Sequence, residues 1–363
     1  MAAQTPWAWQ LAAALLIAGA GVGSATAQEN GFVGAAKCGG CHREQFAAQS
    51  RSGHARSLSP AGDHHLADRW LEGGFSEGSY TYSLKRDGEG LGFEVRRGED
   101  LREQVVEWAF GAGDQAVTLV SRLNEGLYVE LRASYYPAAG LRLTPGHQNH
   151  RPRDLDEALG VRYKTFSARS EILSCFGCHS TGPLSLGERL DIKPAELGVR
   201  CEGCHGPGQK HVELLAEGAP AAARQAIGNP KRLAALDLMR FCGECHRPPA
   251  SEGVAIDWSD PWNVRHQPVY LTESACFKNS PGGLTCMQCH EPHEPLRRND
   301  ASYYSARCAS CHTAALRPPA EVCRTEPGCA SCHMPAVRPQ PELAFQNHWI
   351  GVYAPGKPLR PQR

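Results

Sequence analysis

The sequence predicts short α-helices and loops folded round bulky bound groups, with one small antiparallel β insertion and little conventional hydrophobic core. Three observations lead there. Cys-x-x-Cys-His occurs seven times, at Cys38/Cys41/His42, Cys175/Cys178/His179, Cys201/Cys204/His205, Cys242/Cys245/His246, Cys286/Cys289/His290, Cys308/Cys311/His312 and Cys329/Cys332/His333. Successive motifs from Cys175 onward begin only 26, 41, 44, 22 and 21 residues apart. The second motif begins 137 residues after the first, and the stretch between them instead carries alternating apolar residues and turn signals.

Cys-x-x-Cys-His is the attachment signature of c-type haem. Two thiols add to the two vinyl groups of one porphyrin, and the adjacent imidazole is held over the iron. Sixteen cysteines in an exported chain could instead form disulfides or zinc sites. Histidine, however, is only 16 of 363 residues, and all seven pairs are followed by one. Neither disulfides nor four-cysteine zinc sites need that histidine. The expected cofactor is therefore seven covalently bound c-type haems. So few residues per motif cannot enclose each haem in its own core. The porphyrins must supply much of the core, packed against one another, and the fold class is that of a multihaem cytochrome c.

The N-terminus reads as a secretory signal. An apolar run from Leu11 to Val22 precedes the small-x-small site Ala25-Thr26-Ala27, although no Lys or Arg comes before it. No later stretch approaches 18 apolar residues, so no transmembrane span is expected in the mature chain. The expected location is the periplasm, with the cell exterior as the alternative. Lys plus Arg is 38 and Asp plus Glu is 38. Seven haems would add about seven negative charges when oxidised and about fourteen when reduced, by counting propionates against iron. An acidic holoprotein argues against nucleic-acid binding.

Five segments follow in order: a signal peptide at 1–27, a single-haem segment at 28–77, a haem-free β segment at 78–145, a six-haem core at 146–337 and a Pro-rich segment at 338–363 that supplies a distal histidine. In the β segment, Tyr80-Thr81-Tyr82-Ser83-Leu84 and Leu127-Tyr128-Val129-Glu130-Leu131 read as strands, with Asp87-Gly88 and Asn124-Glu125-Gly126 as turns. This unit is a brace between haem segments or a docking surface. Ala219 to Ala226 and Lys231 to Phe241 read as short helices, the second entered through Asn229-Pro230. Five prolines after Arg338 predict an extended surface path.

Seven motif histidines leave nine others: His54, His64, His65, His147, His150, His211, His266, His293 and His348. Met287 and Met334 lie within or beside motifs, so histidine is the expected sixth ligand. His211 and His293 follow His205 and His290 too closely to pass round the same porphyrin, so each should reach a neighbouring haem. His54 and His348 join them as the stronger distal candidates. His64, His65, His147, His150 and His266 are further candidates. Cys276 and Cys323, outside the motifs, could pair as a disulfide or leave a reactive thiol.

Several stretches carry a resemblance: Cys201-Glu202-Gly203-Cys204-His205-Gly206-Pro207-Gly208, Ser274-Ala275-Cys276-Phe277, Cys289-His290-Glu291-Pro292-His293, Cys332-His333-Met334-Pro335 and Asn347-His348-Trp349. Together they resemble bacterial multihaem cytochromes c with doubled Cys-x-x-Cys-His and cytochrome c-552/4-type domains. Relatives of that kind include the tetrahaem and octahaem cytochromes of hydroxylamine oxidoreductase pathways. The resemblance implies iron ligation by His54, His211, His293 and His348. Seven motifs match neither four nor eight.

The favoured reading is an electron carrier, since nine spare histidines could close seven irons. Its partners would be other cytochromes or membrane quinol-oxidising or terminal reductase complexes. The alternative is an oxidoreductase acting on a small nitrogen or sulfur compound at one open haem. His147 and His150 with Arg151 and Arg153 could form its distal pocket, or an ordinary surface loop. No Cys-x-x-Cys-Lys is present.

Overall fold

The computed structural model describes residues 31–88, 90–165, 171–251, 254–280, 282–312 and 328–362. The signal segment and Cys323 lie outside them.

Antiparallel sheet is far more extensive than the sequence suggests. One sheet holds β1 (Leu58–Pro60), β6 (Trp108–Phe110), β7 (Val117–Asn124), β8 (Leu127–Tyr136) and β10 (Gly160–Lys164) in that spatial order, with β9 (Gly140–Leu143) also on β8. A second runs β2 (Gly74–Glu77), β3 (Tyr80–Asp87), β4 (Gly90–Arg97) and β5 (Asp100–Val106). Two hairpins stand apart, β11 (Ser180–Leu186) with β12 (Ile192–Leu197), and β13 (Ala336–Gln340) with β14 (Leu343–Gln346).

The two larger sheets pack as a sandwich. In β3, Tyr80, Tyr82 and Leu84 are buried at alternate positions, and in β4 so are Leu91, Phe93 and Val95. These side chains join Val117, Leu119, Val129, Leu131 and Ala133 of the facing sheet in one core. Alternation with period two delivers every second side chain to one face, which is why one core can serve both sheets. Asp87-Gly88 and Glu125-Gly126 lie at the turns of the β3–β4 and β7–β8 hairpins, and Gly88 has φ +57°.

The expectation of mainly short helices wrapped round haems is therefore corrected. Among the described residues fourteen strands form four antiparallel sheets. Unlike the segment expected at 78–145, the sandwich takes in Leu58 at one end and Lys164 at the other, with Ala61, Ala67, Trp70 and Leu159 in its core. Proline also misleads at the C-terminus: Pro339 sits in β13 of a two-stranded hairpin, where an edge strand tolerates a missing N–H.

Helices are short and carry the motifs. Glu171–His179, Cys201–His205, Ala235–His246, Ala301–Ala309 and Cys329–His333 contain or meet their Cys-x-x-Cys-His. Pro220 begins the helix Pro220–Gln225, and the Asn229 side chain accepts from Lys231 N–H at 3.1 Å ahead of Ala235–His246.

Candidate haem sites

Each motif makes one helical turn. The N–H groups of His42, His290 and His312 each donate at 2.9 Å to the carbonyl of the first cysteine of their own motif. Residues i and i+3 are neighbours on a helix, so both thiols leave from one side and the histidine follows directly above.

A haem closed by two histidines would take one imidazole from each side. A metal–imidazole bond of about 2 Å, plus about 1.1 Å from nitrogen to ring centre, sets two such rings about 6 Å apart. Four pairs meet this spacing: His42–His211 at 6.4 Å, His54–His246 at 6.0 Å, His205–His293 at 6.1 Å and His290–His348 at 6.3 Å. Each pair joins a motif histidine to one outside the motifs. His211 faces motif 1 and His293 faces motif 3, so neither crosses the motif it follows in sequence.

The hydrogen bonds prepare the nitrogens. Nδ1 lies 2.9 Å from Ser57 O in His179, 2.7 Å from Gly228 O in His205 and 2.8 Å from Ala223 O in His211. In His333 it lies 2.9 Å from Gly351 O, and in His348 3.0 Å from Gln346 O. A carbonyl can only accept, so Nδ1 carries the proton and the Nε2 lone pair is left for metal. Burial lowers the pKa of His54 and His290, and lowers those of His246 and His348 to about 4. Neutral imidazole is the form that binds iron.

The five remaining histidines are placed differently. His64 accepts from Leu66 N–H at Nδ1 and donates to Gly111 O from Nε2, both at 3.1 Å, which leaves no nitrogen for iron. His147 is buried, with Nε2 3.2 Å from Glu130 Oε2. His150 turns Nδ1 to Arg132 and His266 turns Nδ1 to Arg247, so in both rings the neutral form carries its proton on Nε2. His65 is exposed and stacks on His64 at 4.5 Å. Among the described residues, none of the five makes the ring pairing with a motif histidine that the other four make. Arg153 pairs with Glu157 on the surface.

The motifs are mutually adjacent. Cys38 meets Cys201, Cys242 meets Cys286, Cys245 meets Cys178, and Cys308 meets Cys329. Burial, with Cys178 adding to it, pushes the Cys245 thiol up to about 12. Cys204 feels Cys242, and Cys289 feels Cys311. Motif 1, solitary in sequence, thus returns to motif 3. The resulting order is 1–3–4–5–6–7, with motif 2 branching from motif 4. Cys276 is a half-buried free thiol near Cys289 and Cys311.

Cys41 is one of five exposed attachment thiols, with Cys175, Cys245, Cys311 and Cys332. Its N–H donates to Cys38 O at 3.2 Å, which closes the turn of motif 1, but its side chain is exposed. Cys332 of motif 7 is exposed as well. These two motifs are the ends of the run, and each meets its neighbour through its first cysteine, Cys38 or Cys329.

Sequence reading missed the residues that hold these pieces together. Glu202, inside motif 3, accepts from Val33 N–H at 2.9 Å and from Gly34 and Gly208 N–H at 2.7 Å, clamping motif 1 to motif 3. Buried Asn347 donates to Pro358 O at 2.8 Å and accepts from Trp349 N–H at 2.9 Å. Ser274 donates to His348 O at 3.0 Å and accepts from Ile350 N–H at 2.8 Å. Together they fix the loop bearing His348. Glu202 is a carboxylate between two attachment thiols, a signal the sequence does contain.

Residues 149–206 match the family described as cytochrome c554 and c-prime. The match spans motifs 2 and 3, and it supports covalently bound c-type haem with a role in electron transfer. The crystal structure of the outer cell wall cytochrome OcwA aligns at 15% identity and a TM-score of 0.48, over 88% of this chain and 79% of that one. No curated protein matches the chain. Among the described residues no helix is long and apolar enough to cross a membrane, and no three His, Cys, Asp or Glu side chains converge on a bare metal site.

Proposed function

We propose that this chain is an exported heptahaem c-type cytochrome that carries electrons between redox partner proteins. The observation that supports this most is the set of four facing imidazole pairs at 6.0 to 6.4 Å, each joining a motif histidine to one outside the motifs. His42/His211, His205/His293, His246/His54 and His290/His348 would be the axial ligands of four bis-histidine haems. Bis-histidine ligation favours lower potentials than histidine–methionine ligation. The branched run of adjacent attachment thiols supports close haem packing. Partners would be other cytochromes or quinol-oxidising or reductase complexes, met outside the cytoplasm.

Intact-mass measurement of the purified protein tests the count. Seven haems are expected, and fewer would break the reading at the motif left bare.

A specific observation favours a second reading as well. His179, His312 and His333 face no other histidine ring among the described residues, so an oxidoreductase with an open haem would have its site at one of these motifs. Electron paramagnetic resonance of the oxidised protein separates the two. Wholly low-spin signals support the carrier alone, whereas a high-spin ferric signal that responds to added hydroxylamine or nitrite supports the enzyme.

A further inference from the structure

Motif 4 is bordered by a second short helix, and two neighbouring residue pairs join them. His246 ends the helix Ala235–His246, and Gln267 begins the helix Gln267–Thr272. Beside this pair, Arg247 Nη1 lies 3.5 Å from His266 Nδ1. Arg247 has φ +64°, a left-handed turn that ends the first helix at the histidine. The second helix is anchored. Val269 and Tyr270 pack with Val264 and Val337 in one apolar cluster, and Pro268 and Leu271 are buried as well. Gln267 therefore projects from a fixed element.

Burial dominates the surroundings of His246, and the Gln267 side chain acts on the ring in the opposite sense, as an acceptor for its proton. Gln267 Oε1 is buried and makes no full hydrogen bond among the described residues. A buried acceptor without a donor is costly, so one beside a ring N–H marks where that proton goes. His179, His205 and His333 differ here. Their Nδ1 atoms lie against the backbone carbonyls of Ser57, Gly228 and Gly351, which no substitution removes. At His246 the partner is a side chain, so a single substitution reaches it.

We propose that Gln267 is a positioning residue for His246: its Oε1 accepts from Nδ1, fixes the imidazole plane and strengthens Nε2 as a donor to the iron of a haem on Cys242 and Cys245. The inference rests on the proposed haem at that motif, with His54 as its other axial ligand. An acceptor at Nδ1–H draws the proton outward and leaves more electron density on the ring. Stronger donation favours ferric over ferrous iron, so this contact holds the potential of the haem down. The proton stays on Nδ1 in both oxidation states. The same contact keeps the His246 plane 73° from that of His54.

Redox titration of the full holoprotein, followed by electron paramagnetic resonance, tests this. The signal to follow is that of the near-perpendicular pair, the one that H54M removes. Q267L fills similar space without an acceptor. It should favour reduction of that haem about tenfold, or about 59 mV for one electron, and shift its signal as the ring plane is released. Q267E keeps an acceptor oxygen, so it should retain the signal and leave the potential at or below the wild-type value. An unchanged Q267L, or equal upward shifts in Q267L and Q267E, overturns the role of Gln267. A wild-type peptide without haem at Cys242 and Cys245, or an H54M protein with every low-spin signal intact, overturns instead the bis-histidine haem on which the inference rests.

Discussion

Glu202 shows how much one side chain can do. It is 3% exposed, lies between two attachment thiols, and collects backbone N–H groups from both sides of a junction more than 160 residues apart in sequence. Hydrogen bonds to a charged acceptor are worth about 1.5–3 kcal/mol each, and unsatisfied buried donors add a penalty. E202A should therefore destabilise the protein by about 3 kcal/mol or more, measured by guanidinium unfolding of the holoprotein. His64 makes a different prediction. Burial, outweighing its bond to Gly111 O, lowers its pKa from 6.5 to about 4. The unfolded chain then binds more protons than the folded one across that window, so stability falls as pH drops from 6.5 towards 4. Thermal melts should show this acid loss, and H64Q should show a shallower pH dependence.

Single elements set the ring geometry. The His205–His293 planes lie 5° apart, whereas those of His54 and His246 lie 73° apart. Ring orientation governs how the iron d orbitals split, so these two sites should give distinct low-spin paramagnetic signals. H54M should abolish the signal of the near-perpendicular pair and raise the potential of that haem, since thioether ligation favours higher potentials. The segment bearing His54 is also held from outside. Val199 N–H donates to His54 O at 2.8 Å. Next to it, Gly198 has φ +76°, and a Cβ there would lie 2.1 Å from Ala55 O. G198A should push this loop away and weaken the same signal, with a drop in melting temperature.

The whole molecule is a β-sandwich and two hairpins braced against a branched run of attachment sites. Its polypeptide charge is balanced, with a sequence pI of about 7.2. Seven haems would shift the isoelectric point well below that value, and isoelectric focusing of the holoprotein checks it. An unshifted point would contradict the proposed load of propionates. Length in sequence means little in this arrangement. The insertion after motif 1 folds on its own core, and the chain then returns motif 2 to motif 4 and motif 3 to motif 1.

The attachment chemistry was legible in the sequence because it is local. Cys-x-x-Cys-His is one helical turn wherever it occurs, and Tyr80 to Leu84 announces a strand by its own alternation. His211 and His293 could be assigned to neighbouring motifs by chain reach alone. The larger sheet content was not legible, because β11 and β12 contain Pro183, Pro194 and a bulge, and are held by partners rather than propensity. By itself the sequence determined where the Cys-x-x-Cys-His turns lie and which nine histidines stand outside them. Only the tertiary structure decided which imidazoles face each other, that His64 has no nitrogen to give, and that motif 2 is a branch. Those outcomes depend on hydrogen bonds and ring separations between residues up to about 200 positions apart, and no local pattern encodes them.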